Sequence, residues 1–187
     1  MAGSGPALAT DPPVAERAPI AVPQPIACPT GTRSNREYAF SLMGNRAGYQ
    51  TVCLQADGTR VVHFAYNDRG RGPALTSKIR LDAKNVPVAI TTDGNDYLKG
   101  PVAERFTREA GTAAWQNKVE SGTQPVAGAA FYVSQSGSFE ELGLLARALR
   151  DAPDRKLALL PQGEAVLQQL SQLQISNGEA SRQVSLY

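Results

Sequence analysis

Hydrophobic and polar residues alternate along most of the chain after about residue 35, and short turn segments separate the alternating runs. These runs are Arg36–Met43, Tyr49–Gln55, Thr59–Asn67, Leu75–Leu81, Val86–Thr92, Ala103–Glu109 and Thr112–Glu120. A period of two places successive side chains on opposite faces of a strand. The intervening turns contain Gly, Asn or Asp, and Asp57-Gly58 is a hairpin signal. The pattern predicts a mainly β fold, an antiparallel meander that forms either a sandwich or an open barrel.

One α-helix is predicted near residues 138–151, packed on the sheet. Ser138 and Glu141 have the spacing of a capping box, and the Asp151-Ala152-Pro153 sequence ends the helical pattern. The apolar residues at helical spacing are predicted to face the sheet, and they are Leu142, Leu145, Ala146 and Leu149.

The segment from residue 164 to the end supports two interpretations. Leucines spaced three apart between residues 165 and 173 allow a helix, whereas Asn177-Gly178 is a hairpin turn signal and the residues from Gln183 to Tyr187 alternate. We predict a hairpin over about 164–187. The alternation runs up to Tyr187, from which we expect the chain to be a fragment of a longer polypeptide.

Residues 1–34 are rich in proline and alanine and show no strand pattern. Prolines interrupt every apolar run, so no intact signal peptide is predicted there. A segment of this composition is expected to be a flexible arm. The remaining residues, 35–187, are predicted to form one β-rich domain.

The composition excludes some classes of partner. The chain has 187 residues, 42% of them hydrophobic, and a formal net charge of +2. So small a charge gives no strong attraction to nucleic acid or to an anionic membrane surface. No run of about 18 apolar residues is present, so no membrane-spanning helix is predicted.

The two cysteines, Cys28 and Cys53, allow two interpretations. They could form one disulfide if the protein is exported. Alternatively they are two unpaired thiols, one buried in a strand and one in a loose tail, and this is the interpretation that we favour. No CxxC, zinc or haem spacing is present.

The single histidine, His63, limits the chemistry that the chain can be assigned. Zinc sites usually combine several His, Cys and carboxylate ligands, and proton transfer usually needs a base with an orienting partner. His63 lies in the middle of a predicted strand and is interpreted as a packing residue. We assign no catalytic, cofactor-binding or metal-ligating residue.

The segment Gly70-Arg71-Gly72-Pro73, preceded by Arg69, has two functional interpretations. Its arginines could bind phosphate or carboxylate, or the Arg-Gly pattern could bind RNA. We favour a connecting loop in which the glycines supply positive φ angles and the arginines lie in solvent or pair with Asp68.

The remaining candidates are interpreted as structural. Ser134–Ser138 lacks the Gly-x-Ser-x-Gly pattern and is read as the loop leading to the helix. Glu140 and Glu141 lie in the first helical turn, where negative charge is favourable, so they are predicted to cap the helix. Aspartates are common in turns for backbone reasons, and this interpretation applies to Asp57, Asp68, Asp82, Asp93 and Asp96.

Several segments, in order, resemble the N-terminal region of bacterial amidohydrolase-superfamily enzymes of the imidazolonepropionase and prolidase type. The segments are Leu42–Gly48, Asn67–Pro73, Gly94–Lys99, Pro101-Val102, Glu104–Phe106, Phe131-Tyr132 and Leu144–Leu149. The resemblance covers about residues 36–187. It implies a β-rich region that precedes a metal-dependent (β/α)₈ barrel in a usually exported, periplasmic or secreted enzyme.

The family's metal ligands, a His-x-His, a carboxylated lysine, further histidines and an aspartate, have no counterpart here. The resemblance therefore implies a non-catalytic domain, with a zinc-like divalent metal held in a barrel outside this chain. Its expected partner is that barrel or a second protomer, with neither nucleic acid nor membrane involved. Two alternatives stay open: a free-standing β-barrel or sandwich that binds a small apolar ligand, and an interaction module recruited through the Pro-rich arm.

Overall fold

A large antiparallel sheet forms most of the structure, a computed structural model that describes residues 21–176, 178 and 180–187. Its eight strands are hydrogen-bonded in chain order, each antiparallel to the next. They are β1 (Thr32–Leu42), β2 (Asn45–Gln55), β3 (Arg60–Tyr66), β4 (Ala74–Leu81), β5 (Pro87–Asn95), β6 (Pro101–Glu109), β7 (Thr112–Gln116) and β8 (Ser121–Pro125). The predicted antiparallel meander is confirmed. Because β1 and β8 are both edges, the sheet is not closed into a barrel.

Two predicted boundaries at the start of the sheet are wrong. The turn expected around residues 44–48 is shorter, because Met43 and Gly44, with φ angles of 48° and 81°, complete the hairpin and β2 begins at Asn45. Strand β1 begins at Thr32, inside the range 1–34 that was predicted to be an arm. Residues 1–20 of that predicted arm lie outside the described residues.

Gly48 is a strand residue whose lack of a side chain is required. It pairs with Phe40 of β1 on one side and with Tyr66 of β3 on the other. The Phe40 and Tyr66 rings stack with their centroids 4.6 Å apart. A Cβ atom at position 48 would collide with Tyr66 and with the carbonyl oxygen of Ala65, so this aromatic pair forms only across a glycine.

A second layer covers one face of the large sheet. It contains β9 (Ala130–Tyr132), the helix α1 (Phe139–Asp151), β10 (Lys156–Leu160) and β11 (Glu164–Val166). Strands β9 and β10 are parallel and connected through α1, and β11 pairs antiparallel with β10. The alternation pattern missed β8, β9 and β10, since strands of three to five residues are too short to show a period.

The hydrophobic core lies between the two layers. On the inner face of the large sheet, meaning the face that contacts the second layer, a row of apolar residues crosses from β2 to β6 and consists of Val52, Val62, Ile79, Ile90 and Phe106. The second layer packs Phe131, Tyr132, Leu144, Ala148, Leu157 and Leu160 against this row. The rings of Phe106 and Tyr132 stack in parallel at 4.4 Å.

Helix α1 has nearly the predicted bounds, and its predicted inward face is half correct. Leu149 is buried and Leu145 packs against the core, whereas Leu142 and Ala146, both predicted to be buried, are exposed. The buried residues are Glu140, Glu141, Leu144, Ala148 and Leu149. The prediction of this face was wrong in part because it used apolar residues alone, whereas two of the inward positions are glutamates whose charges are bound by other groups.

The segment 21–31 lies against the outer face of the large sheet and has no regular secondary structure. Cys28 forms a disulfide with Cys53 of β2, which corrects the prediction of two unpaired thiols. Asn67 Nδ2 donates to the carbonyl oxygen of Ala21 at 3.1 Å. The pairing was not predictable from spacing, because it depends on this segment running back along β2. Outer-face residues are buried here, namely Tyr49, Thr51, Cys53, Val61, His63 and Ala65.

The chain ends in a separate two-stranded hairpin formed by β12 (Ser171–Ser176) and β13 (Ser181–Leu186). Ser176 lies opposite Ser181, and Asn177 of the predicted turn lies outside the described residues. The hairpin predicted over about 164–187 is therefore correct for residues 171–186. It is wrong for residues 164–166, which form β11 and pair with β10 instead.

Candidate functional site

The β12–β13 hairpin has one mostly apolar and one polar face. Leu173 pairs with Val184 and Ser171 with Leu186, while Ile175 lies two residues after Leu173 and so points to the same side. Arg182, which pairs with Ile175, adds one charged side chain to this side. The opposite side carries Gln172, Gln174, Gln183 and Ser185. We call the set Leu173, Ile175, Val184 and Leu186 the hairpin face, and these four residues are 39% to 57% exposed.

Within the described residues, the hairpin face belongs to neither hydrophobic core cluster. Leu170 N donates to Leu186 O at 2.8 Å and so extends the pairing of the two strands, and the Arg155 guanidinium lies 5.6 Å from the Tyr187 ring centroid at the end of the hairpin. A sheet that is apolar on one side usually packs that side against another layer. An exposed apolar patch bordered by polar residues is typical of an interaction surface.

A cavity of about 270 Å³ lies at the N-terminal end of α1. Its walls are mostly apolar and include Phe64, Phe131, Phe139, Leu142 and Leu145. The buried Ser138 hydroxyl also lines it and has no hydrogen-bond partner in the described part of the chain. Small-molecule sites are typically mostly apolar with a few polar groups and measure about 300–1,000 Å³. This α1 cavity therefore has the character of such a site at the small end of the size range.

A buried carboxylate fixes the loop that forms one wall of the α1 cavity. Glu104 of β6 is 1% exposed, and it accepts hydrogen bonds from the Tyr132 hydroxyl at 2.8 Å, from Gln135 N at 2.8 Å and from Ser136 N at 2.9 Å. Burial, and then this hydrogen bond to Glu104, raises the pKa of the Tyr132 hydroxyl, so the phenol stays a donor. The two backbone donors hold the loop after β9 in place, and the Tyr132 hydroxyl binds the end of β9 to the same carboxylate.

The two glutamates at the start of α1 have different roles. Glu141 accepts a hydrogen bond from Ser138 N at 3.2 Å, which confirms the capping role predicted for it. Burial raises the pKa of Glu141, against the lowering effect of the hydrogen bond from Ser138 N. Glu140 instead accepts from Arg36 Nη2 at 3.1 Å, so its main partner is on β1.

His63 lies on the outer face of β3 among packed residues. Its Nδ1 atom is 3.0 Å from the Thr76 hydroxyl on β4, and burial lowers its pKa. Across residues 21–176, 178 and 180–187, no group of three or more His, Cys, Asp or Glu side chains could hold a metal ion. The burial of His63 on the outer face of β3, beside Thr76, gives it a packing position, in agreement with the interpretation from sequence.

The loop Asn67–Pro73 folds against the turn that follows β5. Asp68 accepts hydrogen bonds from Arg69 Nε at 3.0 Å and from the Tyr97 hydroxyl at 2.7 Å. The two glycines of the loop have φ angles of 90° and 120°. The favoured interpretation is thus confirmed for the glycines and for Arg69, whereas Arg71 lies over the Tyr97 ring, 5.2 Å from its centroid.

The turn aspartates mostly bind backbone groups, as predicted. Asp57 accepts from Thr59 N at 2.8 Å, and Asp96 accepts from Gly100 N at 2.8 Å; these bonds are the main cause of the lowered pKa of each carboxyl. Asp82 also accepts backbone bonds within its turn. Asp93 differs, because it lies in β5 and not in the predicted turn, and it pairs with Arg105 Nη2 at 2.7 Å.

Three arginines that the sequence interpretation did not single out meet beside Glu140: Arg36 from β1, Arg60 from β3 and Arg147 from α1. A partial signal exists, because Arg36 pairs with Val52 and Arg60 with Ile79, both on the inner face. Alternation alone therefore places two of these arginines on the core side of the sheet. Their meeting point is set by strand order and helix placement, which no local pattern contains.

The fold and this surface define a class: a mainly β domain of an open antiparallel meander with one helix and an exposed hairpin that is mostly apolar on one side. None of its described helices is long and apolar enough to cross a bilayer. No family model matches the chain, and no curated protein and no solved structure is significantly similar to it.

Proposed function

We propose that this chain is a non-catalytic β domain of an amidohydrolase-like, metal-dependent hydrolase and that it docks on the catalytic barrel through the hairpin face. The observation that carries the proposal is the exposed apolar side of β12–β13. Burying such a side against a second protein surface is favourable by about 25 cal/mol per Å² of apolar area. The domain acts as a scaffold, and the metal chemistry belongs to the barrel.

The loops that carry the family resemblance support a structural role, because they bind one another. Gly72 N donates to Tyr97 O at 2.9 Å, and Lys99 Nζ donates to Gly72 O at 2.6 Å. The Tyr97–Asp68 hydrogen bond joins the same two loops. Two motifs separated along the chain thus form one hydrogen-bonded unit, which is the behaviour expected of residues that maintain a fold.

The Cys28–Cys53 disulfide supports an exported location for the protein. Disulfides persist in oxidising compartments such as the periplasm or the extracellular space and are rare in the reducing cytosol. The proposal therefore includes a periplasmic or secreted location.

The test begins with the reading frame beyond the codon for Tyr187, where the proposal expects a His-x-His within a few tens of residues. The polypeptide of the whole frame is then compared by calorimetry with a Leu173→Glu/Val184→Glu variant. The charges on the hairpin face should prevent docking, so that this domain and the barrel unfold in two distinct transitions. The matched control, Gln174→Glu/Gln183→Glu on the polar face, should not separate the two transitions.

Three results would reject the proposal. They are the absence of metal-ligand motifs in the frame, equal effects of the apolar-face and polar-face variants, and hydrolysis of acyl-amino-acid or dipeptide substrates by this chain alone.

A second candidate function, binding of a small apolar ligand, is favoured by the α1 cavity. Native mass spectrometry of the purified chain and displacement of a bound apolar dye test it. Leu142→Glu lines the cavity with a charge and should abolish dye binding, whereas Ala146→Glu, at an exposed position on the same helix, should not. Dye binding that is absent, or equal in both variants, would remove this candidate.

A further inference from the structure

Two neighbouring cavities lie between the edge strand β1 and helix α1, with volumes of about 310 and 220 Å³. Arg147 lines both of them, and we call the two adjacent cavities together the β1–α1 cleft. The larger cavity is lined by Tyr38, Phe40, Phe64, Phe139 and Gly143 together with polar residues, and the smaller one by Ser34, Asn35, Arg36 and Arg60.

The smaller end of the cleft carries an excess of positive charge. Arg36 Nη2 lies 3.1 Å and Arg60 Nε 3.9 Å from the same oxygen, Oε1, of Glu140. The Glu140 side chain is 5% exposed and that of Arg60 is 20% exposed. Arg147 adds a third guanidinium, and Glu140 is the single carboxylate that acts on Arg60 among the described residues.

The electrostatics of Arg60 show that the three guanidiniums interact. Burial lowers the pKa of Arg60, the Glu140 carboxylate opposes this shift, and Arg147 and Arg36 both add to it. Like charges that are close together and partly removed from water repel one another more strongly than they would in water. An anion that enters the cleft in addition to the Glu140 carboxylate would therefore be attracted by all three arginines.

The larger end of the cleft is aromatic. The Phe139 ring stacks on Phe40 with centroids 5.7 Å apart and meets the edge of Phe64 at 5.4 Å. Gly143 on the helix faces open space, since a Cβ built there would have no atom within 4 Å. An apolar group of a ligand can thus occupy the space that a longer side chain at position 143 would fill.

We propose that the β1–α1 cleft binds a small amphiphilic carboxylate, whose carboxylate group lies among Arg36, Arg60 and Arg147 and whose apolar group lies beside Phe139 and Gly143. Guanidinium groups bind carboxylates through paired, charge-assisted hydrogen bonds. Ser34 and Asn35 add polar side chains at the charged end. This inference does not depend on the proposed scaffold role, because the cleft is separate from the hairpin face.

The experiment titrates the chain with 4-phenylbutyrate, with 4-phenylbutanol and with inorganic phosphate, following backbone amide shifts by NMR. We expect saturable binding of 4-phenylbutyrate with shifts in β1 and α1, and at least tenfold weaker binding of the uncharged alcohol. Arg147→Gln should weaken 4-phenylbutyrate binding at least tenfold. Arg150→Gln is the matched control, because Arg150 is on the same helix but pairs with Asp151, and it should have no effect.

The Gly143→Leu variant tests the apolar end of the cleft independently of the charged end. It should weaken 4-phenylbutyrate binding at least tenfold and leave phosphate binding unchanged, and thermal unfolding should verify that each variant is folded. Equal affinity for phosphate and 4-phenylbutyrate would overturn the apolar subsite. Absence of saturable binding, or an equal loss in the Arg147 and Arg150 variants, would overturn the site itself.

Discussion

The strand pair β2–β3 and the strand pair β12–β13 are both antiparallel, but they differ in what covers their faces. In β2–β3 the inner face packs in the core, and the outer face, which includes the disulfide-bonded Cys53, is buried as well. In β12–β13 no described residue is buried. Two pairs with the same geometry thus have opposite environments, because segments distant along the chain cover one pair and not the other.

The largest effect is expected from removing the disulfide that ties segment 21–31 to β2. Cys28→Ser should lower the free energy of unfolding by about 3–4 kcal/mol, because the bond closes a loop of 25 residues in the unfolded chain. Urea unfolding measures this, and wild type with reductant is the control, with the same loss expected. A loss below about 1 kcal/mol would mean that β2–β3 stays covered without the bond.

A matched pair of leucines gives the next largest effect. Leu144→Ala should cost about 3 kcal/mol, because the side chain is buried in the core and its removal leaves a cavity. Leu173→Ala on the hairpin face should cost less than about 0.5 kcal/mol, because that side chain is half exposed. Urea unfolding of both variants of the isolated chain measures the contrast. Similar losses would show that the hairpin face is covered in solution.

The loop after β9 contrasts with the hairpin in another way, since it is irregular yet tightly bound by Glu104. Glu104→Gln should destabilise the chain by about 2 kcal/mol, because an amide NH₂ would face a buried N–H donor. Glu109→Gln, at an exposed position on the same strand, is the control and should be nearly neutral. Hydrogen exchange should locate the change at Gln135 and Ser136. An exchange pattern identical to wild type would contradict this account.

The parts of the fold that the sequence predicts are those set by neighbouring residues. Alternation located β1 to β7, and the cap and stop signals located α1, because these patterns depend on residues a few positions apart. The disulfide and part of the helix face were predicted wrongly, since both depend on distant segments. Glu140 faces inward, where Arg36 of β1 and Arg60 of β3 pair with its charge.

The candidate surfaces show the same limit. A terminal hairpin was predicted, and its alternation even separates the apolar Leu173 from the polar Gln174, but no local pattern tells whether a second layer covers it. The burial of Glu104 could be predicted from the alternation pattern, because Glu104 lies on the inner face between Val102 and Phe106. A charged residue at such a position indicates a buried carboxylate with bound donors, whereas its partners after β9 are known only from the structure.

The smallest effect concerns His63, on the covered outer face of β2–β3. Burial lowers its pKa, so the folded state favours the neutral ring. Its contribution to stability is present above the ordinary histidine pKa of about 6.5 and is lost as the pH falls through the lowered folded-state value. His63→Gln removes this titration. The free energy of unfolding of wild type, relative to that of the variant, should therefore decrease as the pH is lowered from about 8 to about 5.

The raised pKa of Glu141 makes stability depend on pH in the opposite direction. The folded state favours the protonated carboxyl, so the contribution of Glu141 to stability is lost as the pH rises. Both proteins in the His63 comparison contain Glu141, so the difference between their unfolding free energies removes its effect. Urea unfolding across the pH range measures the difference, and an NMR titration of the single histidine measures its pKa directly. A difference that does not change with pH, or an ordinary pKa, would mean that the outer face of β3 is open to water, as both faces of β12–β13 are.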